Sequence, residues 1–388
     1  MNAMFQGRLS RGDQRRLTTL LQTLEAEADH FLGYPCNRAF DYTELFPFLA
    51  YTINNVGDPN VKSLYRLNTH EFEREVVDFF AGQIHAPEEI WGYVTNGGTE
   101  GNLYGLYLGR EILPQGIVYY SEDTHYSVAK ILRILRARSI MIKSRPDGEI
   151  DYEDLAETLK IHRDVPPILL VNIGTTMKGA IDNLDRIHAI LKNLAIHDFY
   201  IHADAALSGM ILPFVDDPQP FDFRHGIDSI AISGHKMIGS PLPCGVVLAK
   251  KSHVRQIARS VEYVGTLDTT ISGSRNGITP LFLWYAIRSR GVEGFRGAVE
   301  SSLQMAQYAV DQFRQAGIDA WRHRNSLTVV FPRQAEETLK RWQIAVHDDI
   351  AHIITMPHVE KWQIDALLQE MLDETDNHRR PQPGRSAG

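Results

Sequence analysis

Cysteine is scarce in this chain of 388 residues, and long apolar or basic runs are missing. The only cysteines, Cys36 and Cys244, cannot form a disulfide framework or a multi-cysteine metal site. No apolar run approaches the roughly 20 residues that a membrane-spanning helix needs. The polar, charged residues 1–33 contain no apolar signal-peptide core. We therefore expect a cytoplasmic protein without a membrane partner, in which both thiols stay reduced.

Charge and composition are those of an ordinary globular protein. The net charge of −8 and the absence of a long basic run argue against a nucleic-acid partner. Apolar residues make up 43% of the chain and charged residues 23%, which is typical of soluble folds. At this length the chain should bury a large core in two or three lobes.

Changes in pattern along the chain divide it into four parts. Residues 1–60 are predicted to form a helical arm, because leucines recur at helical spacing within residues 14–31. Residues 61–290 are predicted to form a large α/β domain, and residues 291–375 a small α+β domain. Residues 376–388 have the composition of a disordered tail.

Strand-like apolar runs alternate with helix-like stretches through the predicted large domain. This alternation is typical of an α/β fold whose mainly parallel sheet is covered on both faces. Active groups then collect at the carboxyl ends of the strands. The strands are predicted at 117–120, 168–172, 200–203, 229–232 and 246–249, with helices including 126–135 and 184–194. In the small domain, helices are predicted at 298–315 and 359–372 and a strand at 326–331.

Two of the predicted strands end in residues with complementary chemistry. Lys236 lies in Ser233-Gly234-His235-Lys236, and Asp204 follows the strand 32 positions earlier (236 − 204). A lone lysine is usually a solvated surface charge, and an aspartate after a strand is often a helix cap. Together, however, an amine and a carboxylate at one sheet edge are what pyridoxal 5′-phosphate (PLP) needs. The lysine forms a Schiff base with the cofactor, and the aspartate keeps the pyridine nitrogen protonated.

A glycine-rich turn over residues 95–102 opens another predicted helix. Such turns are common, but the backbone N–H groups and the helix dipole at this position suit the cofactor phosphate. Ser233 and His235 are candidates to donate to the same phosphate.

Three further segments at predicted strand ends or in loops remain ambiguous between structural and functional roles. His125 is one of 16 histidines, so a buried structural role is the default, yet its position favours stacking on a cofactor ring. Thr176, in the turn over residues 172–176, is equally consistent with a capping hydroxyl and a contact to the cofactor. Arg275, in the loop over residues 272–277, is either a surface residue or a contact to the phosphate site of a second subunit.

The combined motifs resemble those of the group II PLP-dependent amino-acid decarboxylases, and the resemblance covers roughly residues 33–372. Within that family the chain is most similar to the short bacterial histidine decarboxylases, and plant serine decarboxylases share much of the pattern. The resemblance implies the PLP-dependent transferase type I (aspartate aminotransferase-like) fold. The segments that carry the resemblance are 92–102, 119–121, 123–130, 202–210 and 233–241.

The resemblance also implies a role for each matching residue. Lys236 binds the cofactor covalently, Asp204 pairs with its ring nitrogen, and His125 stacks on the ring beside the substrate. The other implied contacts are Gly97, Gly98, Thr99, Ser233 and His235 around the phosphate, Ala206 on the ring face opposite His125, and Thr176 near the phenolic oxygen.

From this family we expect decarboxylation of L-histidine to histamine and carbon dioxide, by an enzyme that is at least a homodimer. Serine or an aromatic amino acid is the alternative substrate, and a catalytically inactive binding protein is the alternative class. Tyr263 is the candidate for the proton-donating tyrosine that larger relatives carry on a mobile loop. Residues 51–55, His125 and a loop of the partner chain are expected to form the walls of the substrate pocket.

Overall fold

The computed structural model describes residues 9–62, 64–261 and 266–379. Tyr263 and the predicted tail beyond residue 379 lie outside the described residues. None of the described helices is long and apolar enough to span a membrane. The α-helices are α1 (Arg11–Ala28), α2 (His70–Gln83), α3 (Gly98–Ile112), α4 (Ser127–Leu135), α5 (Tyr152–Ile161), α6 (Leu184–Asn193), α7 (Lys251–Val254), α8 (Ile278–Gln315), α9 (Glu336–Arg341) and α10 (Lys361–Arg379). The strands are β1 (Ile90–Thr95), β2 (Ile117–Ser121), β3 (Ser139–Ile142), β4 (Pro167–Asn172), β5 (Tyr200–Asp204), β6 (Ser229–Ser233), β7 (Gly245–Lys250), β8 (Arg259–Val261), β9 (Thr266–Asp268), β10 (Thr328–Pro332), β11 (Ala345–His347) and β12 (Ile350–Ile354).

A seven-stranded sheet forms the centre of the molecule, in the order β1-β7-β6-β5-β4-β2-β3. The pairs from β6 through β5, β4 and β2 to β3 are parallel, whereas β7 runs antiparallel to both β1 and β6. The sheet confirms the predicted mainly parallel α/β fold. Because β7 alone is reversed, β1, β2, β4, β5 and β6 all present their carboxyl ends at one edge.

Helices cover both faces of this sheet, and the side chains of each strand alternate between two clusters. Ile168 and Leu170 of β4 pack in the cluster that contains residues of α3 and α4. Leu169 and Val171 belong to the larger cluster on the opposite face, with α2, α5, α6 and α8. A strand buried on both faces must be apolar at every position, which is why β4 reads as a continuous apolar run.

Side-chain caps fix where several helices begin. The Asp151 carboxylate accepts hydrogen bonds from the backbone amides of Glu153 and Asp154 in α5, and the side-chain oxygen Oδ1 of Asn183 accepts one from the backbone amide of Arg186 in α6. Helix α3 differs, because its N-cap is Gly97, which has no side chain to accept a bond. The first amides of α3 are therefore left without a capping side chain at the sheet edge described above.

The N-terminal region contributes little to the core. None of the residues of α1 is buried, although the helix carries an apolar face. A 3₁₀ helix, Thr43–Ala50, follows and also exposes apolar side chains. Between them, Leu32 is fully buried, so residues near the end of α1 do join the main cluster.

The C-terminal region contains a three-stranded antiparallel sheet, ordered β10-β12-β11, whose strand β10 packs against the second half of α8, and α10 packs against α8 and α9. Helix α8 begins 20 residues before the predicted start at 298 and bends at Gly291, whose φ of 61° lies in the left-handed region that favours glycine. Helix α10 extends to Arg379, seven residues beyond the predicted helix end.

Candidate active site

The candidate site lies where the carboxyl ends of five strands meet. The turns after β1, β2, β4, β5 and β6 each supply residues to one cavity of about 200 Å³. Of the residues predicted to bind the cofactor, all except Gly97 line this cavity, and Gly97 precedes it directly as the N-cap of α3. The sequence-predicted residues in the lining are Gly98, Thr99, His125, Thr176, Asp204, Ala206, Ser233, His235 and Lys236.

Lys236 follows β6 and is only partly exposed. Burial lowers the pKa of its ammonium group, and the negative charge of Asp204 opposes part of that shift. Among the described residues, Lys236 Nζ has neither a hydrogen bond nor an ion pair. Its backbone is held by the N-terminal region, since the carbonyl oxygen accepts a 3.2 Å bond from Asn37 N. A fixed backbone and an unbonded, easily deprotonated amine suit a nucleophile.

Asp204 ends β5, next to β6, and its two carboxylate oxygens have different partners. Asn102 Nδ2 donates to Oδ2 over 2.6 Å, and the backbone N–H of Ala206 donates to Oδ1 over 3.2 Å. No α-helix begins in the residues that directly follow Asp204. The chain continues there into a short 3₁₀ turn, Ser208–Met210. The alternative that Asp204 caps a helix is therefore wrong. The carboxylate lines the cavity, and the hydrogen bonds from Asn102 and Ala206 fix its orientation.

The amino end of α3 forms a polar cradle beside Ser233. A Cβ atom on Gly98 would lie 2.9 Å from Ser233 Oγ, so only glycine allows the helix to approach the hydroxyl this closely. The uncapped amides of a 15-residue helix and the Ser233 hydroxyl together suit a phosphate group.

Two histidines flank the cavity, and burial lowers the pKa of both. His125 Nδ1 lies 2.7 Å from Ser127 Oγ and accepts a bond from Ser127 N, so its Nδ1 carries the lone pair. His235 Nδ1 lies 2.9 Å from the carbonyl oxygen of Cys244 and 3.3 Å from the backbone nitrogen of the same residue, so Cys244 holds the ring in place.

The turn after β4 is organised by a buried carboxylate. Asp182 is fully buried, and burial raises its pKa to about 6. It accepts bonds from the backbone N–H groups of Ile150 and Asn172 and from Asn172 Nδ2. These bonds hold Asn172 at the cavity wall and fix the turn that carries Thr176.

Two sequence-based expectations were wrong. Residues 51–55 do not line the cavity; the wall from the N-terminal region is formed by Gly33, Tyr34 and Pro35. Arg275 does not lie free for a second subunit, because its guanidinium is buried and paired with the Glu73 carboxylate of the same chain. Arg275 Nη2 also donates to the carbonyl oxygen of Gly57 over 3.0 Å.

Several cavity residues had no sequence-based assignment. Asn102 lies in the glycine-rich motif, and nothing in the sequence of that motif predicted its hydrogen bond to Asp204. His352 reaches the cavity from β12, and its ring nitrogens lie 3.0 Å from the carbonyl oxygen of Met177 and 3.1 Å from that of Gly33. The remaining unassigned polar or aromatic residues of the lining are Tyr34, Thr175, Ser208, Ser326 and Thr328.

Comparison with known proteins identifies the family. Residues 69–333 match the model of the pyridoxal-dependent decarboxylase conserved domain. The chain belongs to this family. A pyridoxal-dependent decarboxylase needs a lysine, an aspartate and an anion cradle in one cavity, and Lys236, Asp204 and the uncapped end of α3 fit PLP on each count. PLP is therefore the cofactor, and the substrate is a small amino acid.

Two bacterial histidine decarboxylases match this chain over almost their whole length. The chain is 51% identical to the histidine decarboxylase of Morganella morganii, covering 95% of this chain and 99% of the relative. It is 51% identical to the histidine decarboxylase of Pseudomonas entomophila (94% and 92%). The crystal structure of L-methionine decarboxylase from Streptomyces sp. 590 superposes with a TM-score of 0.85 at 26% identity, with 96% of each chain covered. This likeness confirms the predicted aspartate aminotransferase-like fold.

Proposed function

We propose that this pyridoxal-dependent decarboxylase converts L-histidine to histamine and carbon dioxide. The observation that carries the substrate assignment is identity of about half the residues, over nearly full length, with histidine decarboxylases from different bacteria. The site geometry supports the reaction class independently, because an amine, a carboxylate and an anion cradle line one cavity.

Lys236, Asp204 and His125 have the central roles in this proposal. Lys236 Nζ would hold the cofactor covalently, and its lowered pKa increases the fraction of neutral amine that is able to form the bond. The Asp204 carboxylate would face the ring nitrogen and stabilise positive charge there. His125 would stack on the ring and contact the substrate, and burial lowers the pKa of its imidazole, which favours the neutral form that would not repel a cationic ring.

The other predicted residues surround the cofactor in this proposal. Gly97, Gly98 and Thr99 offer backbone N–H groups to the phosphate, and Ser233 and His235 add side-chain donors. Ala206 would pack on the ring face opposite His125, where a larger side chain would displace the ring, and Thr176 would lie near the phenolic oxygen.

The chemistry supplied by PLP, when bound, is a protonated ring that withdraws electrons from the Cα–carboxylate bond of the amino acid. The protein's contribution is to orient the substrate and to hold the charge of Asp204 in place. Because Asp204 receives donors from Asn102 and Ala206, its position needs no adjustment during the reaction. Such preorganisation favours the transition state over the ground state.

We also propose that the enzyme is a homodimer built from an arm (residues 1–60), a large domain (61–290) and a small domain (291–375). The apolar face of α1 supports this, because four of its leucines are more than half exposed. A second copy of the chain would bury that face. The free thiols of Cys36 and Cys244 are consistent with the cytoplasmic location that we propose.

The substrate assignment is tested by carbon dioxide release from L-histidine, L-serine, L-tyrosine, L-phenylalanine and L-methionine. Methionine is included because of the structural neighbour described above. We expect kcat/KM for histidine to exceed the others by on the order of 10⁴, since a pocket that hydrogen-bonds an imidazole rejects analogues that lack it. Lys236→Ala enzyme is the blank. An equal or larger value for another amino acid would reassign the substrate, and no release from any of them would indicate a binding protein.

A further inference from the structure

A continuous chain of hydrogen bonds runs inward from Asp204, away from the cavity. Asn102 Nδ2 donates to Asp204 Oδ2 (2.6 Å), and Asn102 Oδ1 lies 3.0 Å from His202 Nε2. The other ring nitrogen of His202 lies 2.7 Å from Ser229 Oγ, which accepts a 2.7 Å bond from the Tyr200 hydroxyl. The chain therefore links four side chains behind the carboxylate.

The charge of Asp204 fixes the direction of every bond in this chain. A carboxylate only accepts, so Asn102 must turn its NH₂ group toward Asp204 and its carbonyl oxygen toward His202. His202 then must donate from Nε2, which leaves the Nδ1 lone pair to accept from the Ser229 hydroxyl. Ser229 in turn accepts from Tyr200. Only one arrangement of protons gives every donor in this chain an acceptor. In that arrangement His202 is neutral and carries its proton on Nε2.

Burial maintains that state of His202. The side chain is fully buried, and desolvation lowers its pKa to about 4 despite the nearby charge of Asp204. Helix α3 lies directly against the ring, because a Cβ atom on Gly105 would lie 2.0 Å from His202 Nδ1. The glycine allows the helix to pack on the imidazole, so the ring has no room to rotate.

We propose that His202 is a positioning residue for catalysis. As the neutral Nε2–H tautomer, it locks the Asn102 amide in the orientation that holds the Asp204 carboxylate toward the ring nitrogen of the cofactor. This inference rests on the role proposed above for Asp204, but not on which amino acid is the substrate.

The tautomer is measured directly by ¹⁵N NMR of the full-length holoenzyme labelled on its histidine rings. The His202 signals are assigned by their loss in His202→Gln. We expect a protonated Nε2 and an unprotonated Nδ1 from pH 5.5 to 8.5. A proton on Nδ1, or a doubly protonated ring at neutral pH, would overturn the proposal, whatever the substrate specificity. The protonation state itself is read from the unaltered enzyme, and His202→Gln serves only to assign the signals.

Two substitutions then separate positioning from packing. His202→Phe keeps a ring but removes the donor to Asn102, whereas the amide of His202→Gln replaces that donor. Loss of a bond that supports a charged group should lower kcat about 10- to 100-fold in His202→Phe with KM little changed. The ¹⁵N signal of ring-labelled PLP should shift toward the unprotonated value. His202→Gln should recover most of both properties, and His197→Phe, at an exposed position, is the control.

The outcomes of this comparison are distinct. If His202→Phe and His202→Gln lose activity equally, His202 serves packing alone and the proposal is wrong. A His202→Phe enzyme with wild-type kcat and an unchanged PLP signal would refute it as well. If His202→Phe does not fold, the tautomer measurement on the unaltered enzyme still decides. Failure of histidine as substrate changes none of these readouts, because they are taken with whichever amino acid is decarboxylated.

Discussion

The sheet edge and the N-terminal helix use their side chains in opposite ways. At the sheet edge, Asp204 and Asn102 are buried and bonded to groups of the same chain. In α1, by contrast, Leu20 and Leu24 are 54% and 58% exposed, and no residue of the helix is buried. One region completes its interactions within the chain, and the other leaves an apolar face without a partner among the described residues.

This difference indicates that the sheet edge serves catalysis and that α1 serves assembly of the subunits. The groups that we assign to catalysis are positioned by β-strand order and by buried hydrogen bonds, which a single chain supplies. The apolar face of α1 is costly to expose to water, so we expect another protein surface to cover it. Substitutions at the sheet edge should therefore change activity in the assembled enzyme, and substitutions in α1 should change assembly first.

The largest effect is expected for Lys236→Ala. Without the amine that binds the cofactor, decarboxylation should fall at least about 10⁴-fold, as for other enzymes that lose a covalent nucleophile. The fold should persist, because Lys236 Nζ bonds to no other described residue. Activity assays and circular dichroism of the purified variant check both parts. Substantial remaining turnover would show that the sheet edge does not carry the chemistry in the way proposed.

Arg275→Ala should chiefly affect stability. Removing the guanidinium leaves the Glu73 carboxylate buried without its partner, a change that typically costs about 3–5 kcal/mol. Denaturant unfolding measures the loss, with Arg288→Ala at an exposed position as the matched control. Normal stability combined with defective phosphate binding would instead favour the original interpretation of Arg275 as a contact between subunits.

Asp204→Asn should retain the fold and bound PLP but lower kcat by about 10²–10³-fold, the usual cost of removing one preorganised electrostatic group. An amide in this position cannot hold positive charge on the ring nitrogen. Steady-state kinetics and the PLP content of the variant test this. A kcat near the wild-type value would mean that Asp204 does not control the charge on the ring nitrogen of the cofactor.

Stability should also fall as the pH decreases from about 6.5 to about 4. Folded His202 has a pKa lowered to about 4, whereas in the unfolded chain it is about 6.5. In this window the unfolded state binds the proton that the folded state does not, so lowering the pH favours unfolding, by up to about 3 kcal/mol at pH 4. Unfolding free energies between pH 4 and 7.5 measure the slope, and His202→Gln should reduce it. If the unfolding free energy of His202→Gln has the same pH dependence as that of the unaltered chain, the lowered pKa of His202 does not cause the loss of stability.

The smallest effect is expected in the arm. Leu20→Asp should weaken the proposed dimer by about 2 kcal/mol, the value of one buried leucine, without altering the site of the assembled enzyme. Thr19→Asp, on the other side of the same exposed helix, is the control. Sedimentation over a range of concentrations compares the two. If both variants associate as the unaltered chain does, α1 is not part of the interface.

Sequence patterns predicted the sheet edge well because parallel strands place their carboxyl ends together. The positions of Asp204 and Lys236 follow from that geometry alone. Long-range pairing was not predictable in the same way. The partner of Arg275, Glu73, is 202 positions away, and nothing in the loop sequence marks the arginine as buried.

Short or interrupted elements were also missed. β11 has three residues and β12 five, too few to show a clear period, so the approach of His352 to the cavity went unpredicted. Helix α8 contains Gly291, Gly294 and Gly297, which interrupt its helical pattern and hid its first 20 residues.

Reduction of the holoenzyme with borohydride, followed by peptide mapping, tests the central claim most directly. The reagent fixes the bond between PLP and its lysine, so the label marks the residue that holds the cofactor. We predict a single pyridoxyl label, on Lys236, which lies beside Asp204 at the sheet edge. A label on any other lysine would contradict the assignment of this cavity as the active site.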